Sequence, residues 1–298
     1  MFFRALKCEL VKNLRKKRTF WAFAAVTALV SVLLIGYVVS RFDPVSEYLR
    51  HASPPERALA NMAVEAFGNG MLFAVLFMGL LGFALMPVLA VAFGGELISS
   101  EIQLGTLRTA LTRPVTRLGF YMTKYAYAAL ITLGFVLFTA VLTYGLGVLF
   151  LGRGPLLVPA ALLGQVRGQV RSGTFPGLHV LSEQTALARF FVAYLLVAIA
   201  VMTMTTLSFT LSTLVKHTGA AMIIAISTYF ILLIVAAVPW LESWRPYLFV
   251  SKMTYWLPVF QPDPPVRQIW GDIGYFALYN AALFIPGLLV FLRRDVQC

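Results

Sequence analysis

Six long apolar runs, at residues 20–39, 71–95, 125–151, 190–215, 218–239 and 273–292, are separated by segments in which charge, proline and glycine gather. At about 1.5 Å of rise per residue, a helix over any of these runs reaches across a hydrocarbon layer roughly 30 Å thick. A helix satisfies its own backbone hydrogen bonds in lipid, so each run predicts a spanning helix. The fourth run is the one that reads least plainly as a span, because Thr203, Thr205, Thr206, Ser208, Thr210, Ser212 and Thr213 lower its hydropathy. Each hydroxyl can bond the preceding turn or a neighbouring helix, and this run too is predicted to span. The predicted class is an all-α polytopic membrane protein with six transmembrane helices, forming one transmembrane domain over residues 1–298.

The flanks add three elements. In residues 1–19, Phe3, Leu6, Leu10 and Leu14 recur three or four apart, while Lys7, Lys12, Arg15 and Lys16 supply charge. That pattern predicts a short interfacial helix against anionic headgroups. A cleaved signal peptide is disfavoured, since the 20-residue run that follows exceeds the usual apolar core of about 7 to 15 residues. Residues 54–67 predict a short helix with Leu59, Met62, Ala63 and Phe67 on one side. Before the last run stand Trp240, Trp244, Trp256 and Trp270, with Tyr247, Phe249, Tyr255 and Phe260 among them. Such rings favour headgroup depth, and Pro246, Pro258, Pro262, Pro264 and Pro265 prevent one continuous helix. A broken, partly re-entrant external segment that anchors the bundle is expected there.

Composition agrees with the pattern: the chain is 60% hydrophobic and 12% charged, where a soluble domain carries about 25% charge. The net charge of +12 would suggest nucleic acid in a soluble protein. Here the bases flank apolar runs, so they read as topology signals and contacts with membrane lipid, and no nucleic-acid partner is expected. With both ends cytoplasmic, the inner segments hold Arg4, Lys7, Lys12, Arg15, Lys16, Lys17, Arg18, Arg108, Arg113, Arg117, Lys124, Lys216, Arg293 and Arg294, the majority of the 24 bases. This is the sense of the positive-inside rule. A cell (cytoplasmic or inner) membrane protein with both termini inside is expected, leaving Cys8 and Cys298 as reduced thiols.

The sequence carries no GxxxxGK[ST] loop, no GxGxxG after a strand-like run, no HExxH and no nucleophile elbow. His51, His179 and His217 are isolated from one another. No catalytic residue, metal ligand or cofactor is assigned to this chain. The six runs contain no Asp, Glu, Lys, Arg or His, and Lys124 and Arg189 stand just outside their edges. Self-powered ion-coupled transport commonly uses a charge at mid-depth, so that reading is weakened. Pro87 and Pro286 interrupt two runs and are read as packing kinks.

One segment stands apart. Residues 95–117 read GELISSEIQLGTLRTALTRPVTR. Glu101 to Leu111 is predicted to be a short helix with an apolar stripe of Ile102, Leu104, Leu107 and Leu111, ended by Pro114. Gly105 costs roughly 1 kcal/mol inside such a helix unless close packing or a bend uses it. This stretch resembles the cytoplasmic signature of ABC-2 type permeases, the membrane subunits of ATP-binding-cassette exporters. The acidic position corresponds to Glu96 or Glu101, the Gly-Thr-Leu element to Gly105, Thr106 and Leu107, and the closing Pro-Val-Ser/Thr-Arg element to Pro114, Val115, Thr116 and Arg117. Its place after the second run, the basic N-terminus, the aromatic segment before the last run and the Arg293-Arg294-Asp295 ending extend the resemblance over nearly the whole chain.

The resemblance implies a permease subunit that is not itself an enzyme. It implies two permeases, identical or related, working with two copies of a cytoplasmic ABC ATPase that bind the ATP and Mg. Residues 96–117 would be the coupling segment, a cytoplasmic coupling helix with Glu96, Glu101, Gly105, Thr106, Leu107, Leu111, Pro114 and Arg117 as its marked positions, braced by the interfacial N-terminal helix. Spans rich in Phe and Met are compatible with export of a hydrophobic or amphipathic substrate. The competing readings are a membrane scaffold and a transporter not driven by ATP.

Overall fold

The computed structural model describes residues 2–14, 17–51, 68–106, 116–158, 179–261 and 263–293. Among these residues eight α-helical elements and a small strand pair follow one another: α1 (Phe2–Leu14), α2 (Lys17–His51), α3 (Gly70–Gly95), α4 (Ser99–Gln103), α5 (Arg117–Leu151), β1 (Leu156–Val158), β2 (His179–Leu181), α6 (Glu183–Leu214), α7 (Thr218–Ala237) and α8 (Val266–Arg293). Helices α2, α3, α5, α6, α7 and α8 each contain a stretch long and apolar enough to cross a membrane, so the chain is a multi-pass membrane protein. The two strands pair antiparallel, Leu156 opposite Leu181, and form the described β structure of an otherwise helical fold.

Helix boundaries depart from the apolar runs because hydropathy and helix propensity end in different places. α5 begins at Arg117, eight residues before its run, because Thr116 caps it by accepting from the Gly119 N–H at 3.1 Å. α6 begins at Glu183, whose charge favours a helix N-terminus. α8 likewise starts at Val266, and α2 continues to His51. Lys124 and Arg189 therefore lie inside helices rather than outside them. The predicted helix at 54–67 lies outside the described residues.

The hydroxyl-rich α6 is the centre of the bundle and packs on α3, α5, α7 and α8. Its apolar stretch is 67% buried, against 17% for α7 and α8. Several of the hydroxyls that depress its hydropathy reach neighbouring helices, while Ser208, Ser212 and Thr213 bond back to carbonyls of α6 itself. Thr205 meets Thr132 of α5 at 2.9 Å, and Thr206 donates to Asn280 Oδ1 of α8 at 2.6 Å and lies 3.0 Å from the Tyr125 hydroxyl. Asn280 returns a bond from Nδ2 to Thr203 at 3.1 Å. Polar side chains thus join helices where lipid offers no competing partner. At Gly94 the backbone of α3 approaches α6 so closely that an added Cβ would collide with the Thr205 carbonyl oxygen.

The proline interruption of α3 has a local remedy. Pro87 cannot donate to the carbonyl four residues back, that of Phe83. There α3 widens into a π turn over Leu81–Leu85, and the Tyr229 hydroxyl of α7 donates to the Phe83 carbonyl. Near Pro286, Thr210 donates to the Leu283 carbonyl at 2.9 Å.

The segment before α8 is broken into 3-10 turns at Pro239–Tyr247, Phe249–Lys252 and Leu257–Phe260. Its two halves differ. Trp240, Trp244 and Tyr247 are exposed, as an anchoring role requires. Phe249, Tyr255, Trp256 and Phe260 are buried in the core, and Tyr255 donates to the Leu196 carbonyl of α6 at 2.6 Å. Those four rings are core packing and not a rim.

Candidate coupling site

The signature segment leaves α3 through a short buried link. Leu97, Ile98 and Ser99 are all almost fully buried, and Ser99 donates to the Gly95 carbonyl at 2.8 Å. Glu96, 9% exposed, sits at the end of α3 with its carbonyl accepting from the Ser100 N–H at 3.1 Å. The chain then makes a single helical turn, α4, which carries Glu101 inward.

Glu101 is the hub of a buried charge network. Its Oε1 accepts from Lys124 Nζ of α5 at 2.8 Å and from Lys12 Nζ of α1 at 3.0 Å. Lys124 also reaches Glu9 Oε1 of α1 at 3.3 Å. Asn13 closes the group by donating to Glu9 Oε2 at 2.9 Å and to the Glu9 carbonyl at 3.1 Å. The Lys124 side chain is 2% exposed, and its ammonium lies 4.9 Å from the centre of the Phe120 ring. An ammonium so far from water is tolerable because two carboxylates face it. Burial pushes the Glu101 carboxyl up, but Lys124 and Lys12 outweigh this and hold it below the usual carboxylate range. Burial pulls the Lys12 ammonium down, and its hydrogen bond and attraction to Glu101, with that of Glu9, raise it above its ordinary value.

The network binds together α1, α4 and α5, and the Thr218 hydroxyl at the start of α7 donates to Gln103 Oε1 at 3.1 Å. Arg117, exposed at the start of α5, donates to the Leu292 carbonyl at the end of α8 at 3.2 Å. These contacts place α1, α4, the starts of α5 and α7 and the end of α8 at one end of the bundle.

Immediately beyond α4 the chain turns outward. Gly105 adopts φ +68°, its N–H bonds the Ile102 carbonyl at 3.1 Å, and Thr106 Oγ1 lies 3.5 Å from the Glu101 carbonyl. This is a glycine C-cap. The predicted continuous helix from Glu101 to Leu111 is therefore corrected: α4 ends at Gln103. Gly105 has open space around the position of a Cβ, so it is needed for its dihedral angle and not for close approach. The predicted apolar stripe is also split, with Ile102 half-buried against the core and Leu104 75% exposed. Leu107, Leu111 and Pro114 lie outside the described residues.

Of the marked positions, the structure sets Glu96 at the end of α3, Glu101 in α4, Gly105 and Thr106 in the turn after it, and Arg117 at the start of the following helix. Sequence reading missed the partners Glu9, Asn13 and Lys124. Their signal was available in principle, as polar positions on the inward side of α1 and a lysine at the edge of an apolar run. Among the described residues no three His, Cys, Asp or Glu side chains gather as a metal-binding group.

Among curated proteins none matches the chain. A family model described as a protein of unknown function, DUF2705, matches residues 59–297, which takes in the whole signature segment with Glu101 and Lys124 and leaves out α1. With most of its length matched in this way, the chain belongs to the DUF2705 family.

Proposed function

We propose that the protein is the permease subunit of an ATP-driven exporter, as its resemblance to ABC-2 type permeases implies, and that the turn after α4 is where a separate ATPase pushes. The observation that carries this reading is an exposed apolar residue, Leu104, on a turn whose base is fixed by the buried Glu101–Lys124 pair. An apolar side chain offered to water on a rigid mount favours burial by a partner. Displacement of the turn would pass directly to α1 and α5 through the network, which is what a lever between a motor and a helix bundle requires.

In this reading the end holding α1, α4 and the close of α8 faces the cytoplasm, two such subunits pair, and ATP and Mg are bound by two ATPase copies. The cargo is a hydrophobic or amphipathic molecule leaving through the inner membrane.

The test is co-purification. The full chain, tagged and extracted from its native membrane, is expected to bring down an ATP-binding-cassette ATPase. Leu104→Asp should lower that recovery about tenfold, since burying one leucine contributes roughly 1.5 to 3 kcal/mol. The melting temperature of the variant should stay unchanged. Recovery of no such ATPase, or unaltered recovery with Leu104→Asp and Leu107→Asp combined, rejects the reading.

A further inference from the structure

Between the last turns of α6 and α8 lies an open groove of about 380 Å³ lined by Thr213, Leu214, Leu289, Val290 and Arg293. Its walls are apolar and open to the surroundings, with Leu214 49%, Leu289 48% and Val290 40% exposed. Thr213 adds no free polarity, because it is buried and its hydroxyl donates to the Thr210 carbonyl at 2.6 Å. Arg293, in the last described turn of α8, is exposed at one end of the groove. No described carboxylate pairs with it.

We infer that this groove holds one anionic phospholipid, its phosphate on Arg293 and an acyl chain between Leu214, Leu289 and Val290. The polarity of the groove matches that occupant along its length. Both walls belong to helices that can cross a membrane, so apolar surface there meets acyl chains, while the cation stands at the helix ends where headgroups lie. A guanidinium offers two parallel donors to a phosphate. The negative end of the α8 dipole, which would oppose an anion, is covered by Arg117 donating to the Leu292 carbonyl. Lys216, exposed two residues beyond Leu214, adds a further positive charge at the same end.

The experiment uses the full chain in mild detergent with equal amounts of phosphatidylglycerol and phosphatidylcholine, and native mass spectrometry counts each lipid retained. No ATPase is present, so the result is independent of the proposed transport role. Wild type should retain phosphatidylglycerol in preference. Arg293→Gln should lower that preference about fivefold, as expected for one basic residue at a membrane surface. Leu289→Trp, which fills the groove and keeps the arginine, should lower retention of both lipids. Val141→Trp, on the exposed side of α5, should leave both unchanged. Equal retention of the two lipids by wild type, an unaltered preference in Arg293→Gln, or undiminished binding in Leu289→Trp overturns the assignment; melting curves of every variant confirm that each is folded.

Discussion

Lys124 shows why a single buried cation can decide whether one end of a bundle is ordered. Its ammonium has left water for two carboxylates and the Phe120 ring. Replacing it with alanine leaves Glu9 and Glu101 facing each other with only Lys12 between them, and breaking a buried pair in this way costs about 3–5 kcal/mol. Thermal unfolding of purified Lys124→Ala should show that loss, whereas Lys124→Met with Glu101→Gln should recover part of it. The network also fixes a pH response. The carboxyl of Glu101 is held below its ordinary value in the folded protein, so its contribution is complete above the unfolded value of about 4.3 and is lost as pH falls through the lower folded value. The melting temperature of wild type should therefore fall below about pH 4, and Glu101→Gln should be flatter over that interval. Lysine and glutamate at the edges of apolar runs were visible in the sequence as topology signals. Their pairing was not, because Glu9, Glu101 and Lys124 are joined only once three separate helices meet.

At the scale of the element, the legible and illegible parts divide along a physical line. Runs long enough to span were plain, because hydrocarbon thickness imposes their length. Caps were harder: Thr116 begins α5 within charged surroundings, and Gly105 stops α4 after one turn. The first could have been read from the Thr116 position alone, since threonine and serine both cap helices and the resembling signature allows either. Three variants test the glycines. Gly105→Ala should destabilise by about 1 kcal/mol through its positive φ, while Gly105→Asn should cost less, because asparagine tolerates the left-handed region. Gly94→Ala, by contrast, forces a methyl onto the Thr205 carbonyl and should cost about 1–3 kcal/mol whatever its dihedral preference. Tyr229→Phe removes the donor that serves the Phe83 carbonyl beside Pro87, and a loss of about 1–3 kcal/mol is expected in the same melting assay.

For the whole molecule, the apolar run richest in serine and threonine is the most buried helix, which explains how it carries so many hydroxyls. A helix shielded on most sides by protein has less need of an apolar surface, and its hydroxyls serve as cross-links. The orientation of the bundle is open to direct measurement: Cys8, exposed on α1, should resist a membrane-impermeant thiol reagent in sealed cells and react once they are opened. Labelling of Cys8 in sealed cells would invert the proposed topology. The charge network carries a further consequence for biogenesis. Lys12 and Glu9 stand 89 and 115 residues before their partners Glu101 and Lys124, so α1 must wait for the third span before its charges are paired. Until then the charges of α1 lack their partners in the network, and the helix is open to chaperones and proteases. α1 thus locks well after its own synthesis, and its protection from proteolysis during synthesis should appear only after residue 124 has emerged.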